Sequence, residues 1–313
     1  MATLRIDGVS RWYGNVVAVN AVTMEFGPGV TGLLGPNGAG KSTLLNMMGG
    51  FLPPSSGTVT LDGEPTWRNE AIYKRIGLVP EREAMYDVVT GWEFVLSNAR
   101  LHSLPDPEAA ARKAIGIVDL ADAEDRPIAT YSKGMRQRAK LATALVHDPS
   151  VLLLDEPFNG LDPRQRILFM DLLRGMAADG KSVIFSSHIL EEVEQLAERI
   201  EVMVSGRHAA SGGFREIRKL MIERPHRYTI RSADDRALAS AIIAEGCTSA
   251  VELVAADPAR PASSTAGLHV QATDVGSFIS VLPKVATRHG IRLYEVIPAD
   301  ESLESVFAYL VSR

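Results

Sequence analysis

The sequence predicts an α/β chain: a parallel sheet covered by helices, followed by a smaller α+β module. Three observations carry this. Apolar runs at residues 30–34, 151–154 and 182–185 each end in polar residues and then enter a helical pattern. That order marks a sheet whose chemistry lies at the carboxyl ends of its strands. A mostly helical stretch, about 85–147, separates the first run from the second. After about Gly213 the order becomes strand, helix, strand, strand, helix, strand, as in a ferredoxin-like module. The expected domains are therefore 1–215 and 216–313.

Taken in order, residues 4–6 and 22–26 read as strands, the second placing Val22, Met24 and Phe26 on one face. Residues 57–63 read as a strand entering the Asp62-Gly63 turn. Helices are expected at 90–102, 107–118 and 132–147, with Pro105, Pro107 and Pro127 as punctuation. In the C-terminal module strands are expected at 228–231, 249–255, 268–272 and 292–297. Helices are expected there at 233–245, 275–289 and 303–310, and residues 257–265 form a Pro/Ser-rich exposed connection. No chemical motif appears in this module, which reads as regulatory or interaction-forming.

Bulk properties narrow the class. The chain has 313 residues and a 46% hydrophobic fraction, enough for sizeable cores. A net charge of −5 argues against nucleic acid as the main partner. The single cysteine, Cys247, excludes an intramolecular disulfide and fits a reducing compartment. The N-terminal residues lack the apolar core of a signal peptide, and no window holds 18 consecutive apolar residues. Work at a membrane would need a partner that spans it.

Gly35-x-x-x-x-Gly40-Lys41-Ser42 fits the P-loop pattern and lies between a buried strand and a helix pattern. Its glycines let backbone N–H groups close around phosphate oxygens, and the helix N-terminus adds partial positive charge. Lys41 is expected on the β- and γ-phosphates, with the Ser42 hydroxyl on Mg²⁺. Residues 151–154 end in Asp155-Glu156. Asp155 at the strand tip would hold Mg²⁺, and Glu156 would polarise the attacking water as general base. Ser132 is a good N-cap for the helix that follows, so Tyr131-Ser132-Lys133-Gly134-Met135 is either a capped core helix or a second anion site. If the two anion sites lie at different ends of the fold, a head-to-tail pair of chains lets one nucleotide use both.

With these stations in order, residues 1 to about 215 resemble an ATP-binding cassette (ABC) ATPase, the motor subunit of ABC transporters. The resemblance implies a P-loop NTPase fold: a RecA-like core, an antiparallel β subdomain and an α-helical signature subdomain. It implies ATP and Mg²⁺ as cofactors. The nucleotide would be held by Gly35, Asn37, Gly38, Gly40, Lys41, Ser42 and Thr43, with Tyr13 stacking on adenine. The YSKGM stretch is similar to the family signature, so Ser132, Lys133, Gly134 and Met135 are expected to act on the partner's nucleotide. Asp162 in Asn159-Gly160-Leu161-Asp162 resembles the D-loop aspartate at the dimer interface. His188 in Ser186-Ser187-His188 resembles the switch histidine on the γ-phosphate.

The chain departs from the family pattern at two places. Glu81 follows Ile76-Gly77-Leu78-Val79-Pro80 where the family usually has a glutamine. A carboxylate there can still bind Mg²⁺ but cannot donate an amide hydrogen bond. Lys133 and Met135 replace the first glycine and the glutamine of the signature; Lys133 reads equally as a cation near the partner's nucleotide or as a solvated side chain. This combination, with the ending at 300–307, is similar to the branch that exports drugs, antibiotics, lipids or polysaccharides. The resemblance therefore implies a homodimer, or a heterodimer, on the cytoplasmic face of a membrane, coupled to a separate transmembrane permease subunit. A soluble ABC ATPase acting on ribosomes or DNA is the rival. Such relatives carry two cassettes or coiled-coil insertions, and this acidic chain has neither.

Overall fold

The computed structural model of the chain describes residues 2–82, 85–217, 226–254 and 267–298. The helix expected at 303–310, the ending at 300–307 and the loop at 257–265 lie outside the described residues. Two compact units are present, Met1–Ile217 and Arg218–Arg313.

The first unit contains two sheets. Its elements are β1 (Leu4–Tyr13), β2 (Val16–Phe26), β3 (Gly29–Leu34), α1 (Lys41–Met48), β4 (Ser56–Leu61), β5 (Glu64–Pro65), α2 (Glu70–Tyr73) and β6 (Ile76–Val79). Then come α3 (Gly91–Leu101), α4 (Pro107–Ile117), α5 (Lys133–Leu145), β7 (Val151–Leu154), α6 (Pro163–Ala178), β8 (Ser182–Ser187), α7 (Leu190–Leu196), β9 (Arg199–Val204) and β10 (Arg207–Gly212).

The larger sheet runs β10-β9-β3-β8-β7-β6. Its strands from β9 to β6 are parallel, and β10 pairs antiparallel at one edge. Parallel strands covered on both faces need apolar residues on both faces. Accordingly every residue of β7 and β8 is buried.

The smaller sheet is antiparallel, in the order β2-β1-β4-β5. Here β1 and β2 outrun the expected strands at 4–6 and 22–26 and pair as far as Tyr13 with Val16. Register shifts interrupt the alternation between Ile6 and Trp12. Trp12, Tyr13, Val16 and Val17 are exposed, so the far half of the hairpin carries no buried face to betray it.

Helix α1 lies in the core shared by the two sheets. Leu44, Leu45, Met47 and Met48 are buried in one cluster with Leu4, Ile6 and Phe26 of the antiparallel sheet and with Leu153 and Ile184 of the parallel one. Each such side chain contributes roughly 1.5–3 kcal/mol on burial. This packing anchors the helix whose N-terminus follows the P-loop. That N-terminus has no side-chain cap; Gly40 precedes it in the left-handed conformation.

Helices α3 to α6 start on side-chain caps, whereas α7 has none. Thr90 and Glu93 form a capping box on α3, and Asp106, Ser132 and Asp162 cap α4, α5 and α6. Tyr131, just before α5, is buried and its hydroxyl donates to Ala123 O at 2.7 Å. A side chain on Gly91 would overlap that hydroxyl, so the tyrosine requires a glycine at the start of α3.

The second unit has the order β11 (His226–Ser232), α8 (Asp235–Ala244), β12 (Thr248–Val254), β13 (Gly267–Ala272), α9 (Val275–Arg288), β14 (Leu293–Pro298). Its sheet is antiparallel, in the order β12-β13-β11-β14. Tyr228, Ile230, Leu268 and Val270 from the strands pack with Leu238, Ile242, Phe278 and Leu282 from the helices. Cys247 is a free, buried thiol in the same core.

Candidate active site

The site is built at the carboxyl ends of β3, β7 and β8. Between β3 and α1 the chain turns through Gly38 at φ 80° and Gly40 at φ 97°. Gly40 is required twice over: its φ is left-handed, and a side chain there would overlap Ala18 O. The turn lines a cleft of about 380 Å³ together with Ala18, Glu81 and Glu156. The residues the turn supplies are Asn37, Gly38, Ala39, Gly40, Lys41, Ser42 and Thr43.

Lys41 is buried at the base of this cleft. Its Nζ donates to Gly35 O at 2.7 Å and Pro36 O at 3.2 Å, and stands 3.3 Å from Glu156 Oε1. The carbonyls hold the ammonium in place, and the carboxylate compensates its charge.

Glu156 sits just beyond the tip of β7. Its backbone has φ 47°, a left-handed conformation that costs on the order of 1–3 kcal/mol outside glycine and persists only where surroundings enforce it. The enforcing contact is visible. Glu156 N–H donates to Ser186 Oγ at 2.8 Å, and Ser186 Oγ donates onward to Asp155 Oδ1 at 2.6 Å. One hydroxyl on β8 thus holds the Asp155 carboxylate and the Glu156 backbone just beyond β7.

His188 Nδ1 lies 2.9 Å from Glu156 Oε2. A carboxylate only accepts, so Nδ1 carries the proton of this bond and Nε2 is left as the acceptor nitrogen of the neutral ring. Glu156 Oε1 is buried and makes no hydrogen bond. Held beside Lys41 and without a hydrogen bond of its own, this oxygen keeps a lone pair, as a base acting on water needs.

Glu81 faces the same cleft from the end of β6. Its backbone is tied to α5: Lys140 Nζ donates to Pro80 O at 2.8 Å and Glu81 O at 3.3 Å. Among the described residues no group of three or more His, Cys, Asp and Glu side chains is placed to hold a metal ion alone. The donor set of Ser42, Asp155 and Glu81 instead suits Mg²⁺, which keeps waters and takes substrate phosphates as ligands.

The structure separates the remaining expected residues from this cleft. Ser132, Lys133, Gly134 and Met135 form the start of α5, with Ser132 Oγ accepting from Met135 N at 3.2 Å. Gly134 and Lys133 pack instead on the start of α6 and the loop before it. Gln165 fills the space a side chain on Gly134 would need, and Lys133 lies along Gly160. Asp162 caps α6 by accepting from Gln165 N at 2.9 Å. Tyr13 ends β1, half exposed, with the Arg11 guanidinium 4.9 Å over its ring.

Sequence reasoning missed Ser186 and Lys140. Ser186 was visible two residues before His188, but its bonds to Asp155 and Glu156 depend on strand register. Lys140 sits on an otherwise buried helix face, where a cation is unusual enough to suggest a partner.

Residues 19–159 match the family model described as ABC transporter. The Nod factor export ATP-binding protein I of Sinorhizobium fredii is 33% identical over 325 residues, covering 99% of this chain and 86% of that protein. The chain belongs to the ABC transporter ATP-binding proteins. A second ABC relative, the daunorubicin resistance ATP-binding protein DrrA3 of Streptomyces coeruleorubidus, is 37% identical over 219 residues, covering 69% of each. Among solved ABC structures, the dimeric MJ0796 cassette superposes with a TM-score of 0.62 at 24% identity, covering 67% of this chain and 98% of that one. The fold is that of an ABC ATPase, and the chain is an ATP-hydrolysing subunit of the ABC type. Among the described residues no helix is long and apolar enough to cross a membrane.

Proposed function

We propose that this subunit powers export through a separate transmembrane permease, with two copies closing on ATP at two shared sites. One observation carries the reading. The cleft gathers Lys41, Ser42, Glu81 and Glu156, whereas the signature segment of the same chain packs on the Gly160 loop instead. A second cassette, identical or closely related, supplies the missing Ser132 and Gly134.

The cleft supports the following roles. Lys41 and the P-loop N–H groups bind the β- and γ-phosphates. Ser42 and Asp155 would hold Mg²⁺, with Glu81 alongside, and would thereby bring charge neutralisation to the phosphate oxygens. Glu156 takes a proton from the attacking water through its unsatisfied oxygen, and His188 fixes the other oxygen. His188 Nε2 faces the γ-phosphate, Tyr13 stacks on adenine, and Asp162 meets the partner. Support for export comes from relatives whose names specify Nod factor export and daunorubicin resistance. They also support a peripheral position on the cytoplasmic face of a membrane.

Glu156→Gln tests the reading. It keeps the shape of the site and removes the base. Light scattering should show an ATP-dependent dimer that persists, while phosphate release falls by roughly 10²-fold or more. Turnover at the wild-type rate would overturn the base assignment, and a variant that stayed monomeric with ATP would overturn the shared site.

A further inference from the structure

Glu192 on α7 is a carboxylate at 2% exposure, outside the nucleotide cleft. Burying an ion pair costs several kcal/mol in desolvation, and an apolar pair of similar size is often more stable. A charge kept in such a place calls for a geometric reason. Burial holds its carboxyl above the usual range, opposed by Ser187 and Arg166.

Its partners supply the reason. Ser187 Oγ donates to Glu192 Oε2 at 2.6 Å. Ser187 immediately precedes His188, and its Oγ also accepts from Ile189 N at 3.0 Å. The serine hydroxyl therefore spans the turn that carries His188, and Glu192 anchors the hydroxyl. On the other side, Arg166 Nη1 stands 3.4 Å from Glu192 Oε1. Arg166 lies in the first turn of α6, and its N–H donates to Asp162 O. A continuous set of contacts thus runs from Asp162 through Arg166, Glu192 and Ser187 to His188 and Glu156.

We propose that Glu192 is a positioning residue for hydrolysis: it holds the His188 turn in register with the start of α6, so that movement of the Asp162 loop is felt at His188 and Glu156. This rests on the proposed function, in which the Asp162 loop meets the partner chain. Glu192 touches no substrate and acts through His188. Its two oxygens divide the task, one for the turn and one for the helix, which an apolar side chain could not do.

The experiment compares steady-state ATP hydrolysis of the full chain with that of Glu192→Gln, Arg166→Gln and the double variant, with thermal melting alongside. Glu192→Gln keeps the volume and an acceptor for Ser187 but loses the pairing with Arg166. Each single variant should lower kcat by roughly 10–100-fold, the scale of a small misplacement of reacting groups, with KM for Mg-ATP within about twofold of wild type. The double variant should be no worse than the poorer single, because both changes break one connection. Arg166 is partly exposed, so Arg166→Gln decides the matter should Glu192→Gln fail to fold. Unchanged kcat in Arg166→Gln would overturn the proposal, as would kcat losses that add in the double variant. A loss of kcat accompanied by an equal rise in KM and a lowered melting temperature would reduce Glu192 to a packing role and overturn it too. A wild-type chain that failed to hydrolyse ATP would remove the proposed function itself; a hydrolysing wild type with unaffected variants removes only this inference.

Discussion

Ser186 Oγ stands between two adjacent acids, 2.6 Å from Asp155 Oδ1 as donor and 2.8 Å from Glu156 N as acceptor. Ser186 is itself fully buried. Replacing it with alanine strands a backbone N–H and removes a donor from Asp155. Ser186→Ala should lose about 1–3 kcal/mol of stability, read as a lower urea midpoint. It should also raise the Mg²⁺ concentration needed for half-maximal hydrolysis, because Asp155 is no longer held in one orientation.

Glu81 places a second carboxylate on the wall that carries Glu156. Like charges on a site for a polyanion oppose its binding. Glu81→Gln should lower KM for Mg-ATP and shift the Mg²⁺ optimum upward, since a metal-binding oxygen is lost with the charge. A Mg²⁺ titration at fixed ATP checks this; an unchanged optimum would place Glu81 outside the metal's reach.

His147 predicts a pH dependence. Burial, with the neighbouring His102, holds its imidazole down at about 4. The two rings stack 3.9 Å apart, and His147 Nε2 donates to Ile76 O at 3.1 Å. The folded pKa lies below the unfolded value of 6.5. The unfolded chain therefore takes up this proton first, and stability falls as pH drops from 6.5 towards 4. His147→Gln keeps a donor for Ile76 and cannot charge. Its unfolding free energy should vary less with pH across that window, as measured by urea titration.

Gly91 and Tyr131 pack against each other. Gly91→Ala drives a methyl into the tyrosine hydroxyl and should cost about 1–3 kcal/mol. Tyr131→Phe alone should cost about 0.5–1.5 kcal/mol, by removing one of the two hydrogen bonds that Ala123 O accepts, the other coming from Arg126 N. The double variant should be more stable than the sum of the two losses, because the clash and the hydroxyl disappear together. Strict additivity in a double-mutant cycle would contradict the contact.

The turn at 37–43 that lines the cleft was readable because its residues are neighbours in sequence. A glycine-rich turn needs no tertiary information, and continuous apolar runs such as residues 151–154 suit a strand covered on both faces. What escaped were the contacts that join distant segments. Ser186 to Asp155 and Lys140 to Pro80 span 31 and 60 residues, and strand register and helix rotation bring them together. The outer half of the β1–β2 hairpin escaped for another reason. Bulges break its alternation, and its large side chains face outward.

Lys140 has a mechanical consequence. Helix α5 has 13 residues and so measures roughly 20 Å. Ser132 caps one end, and two turns further along Lys140 grips the carbonyls beside Glu81. A rod gripped at that point, like a rocker arm on its bearing, would carry a push on its tip to the backbone beside Glu81.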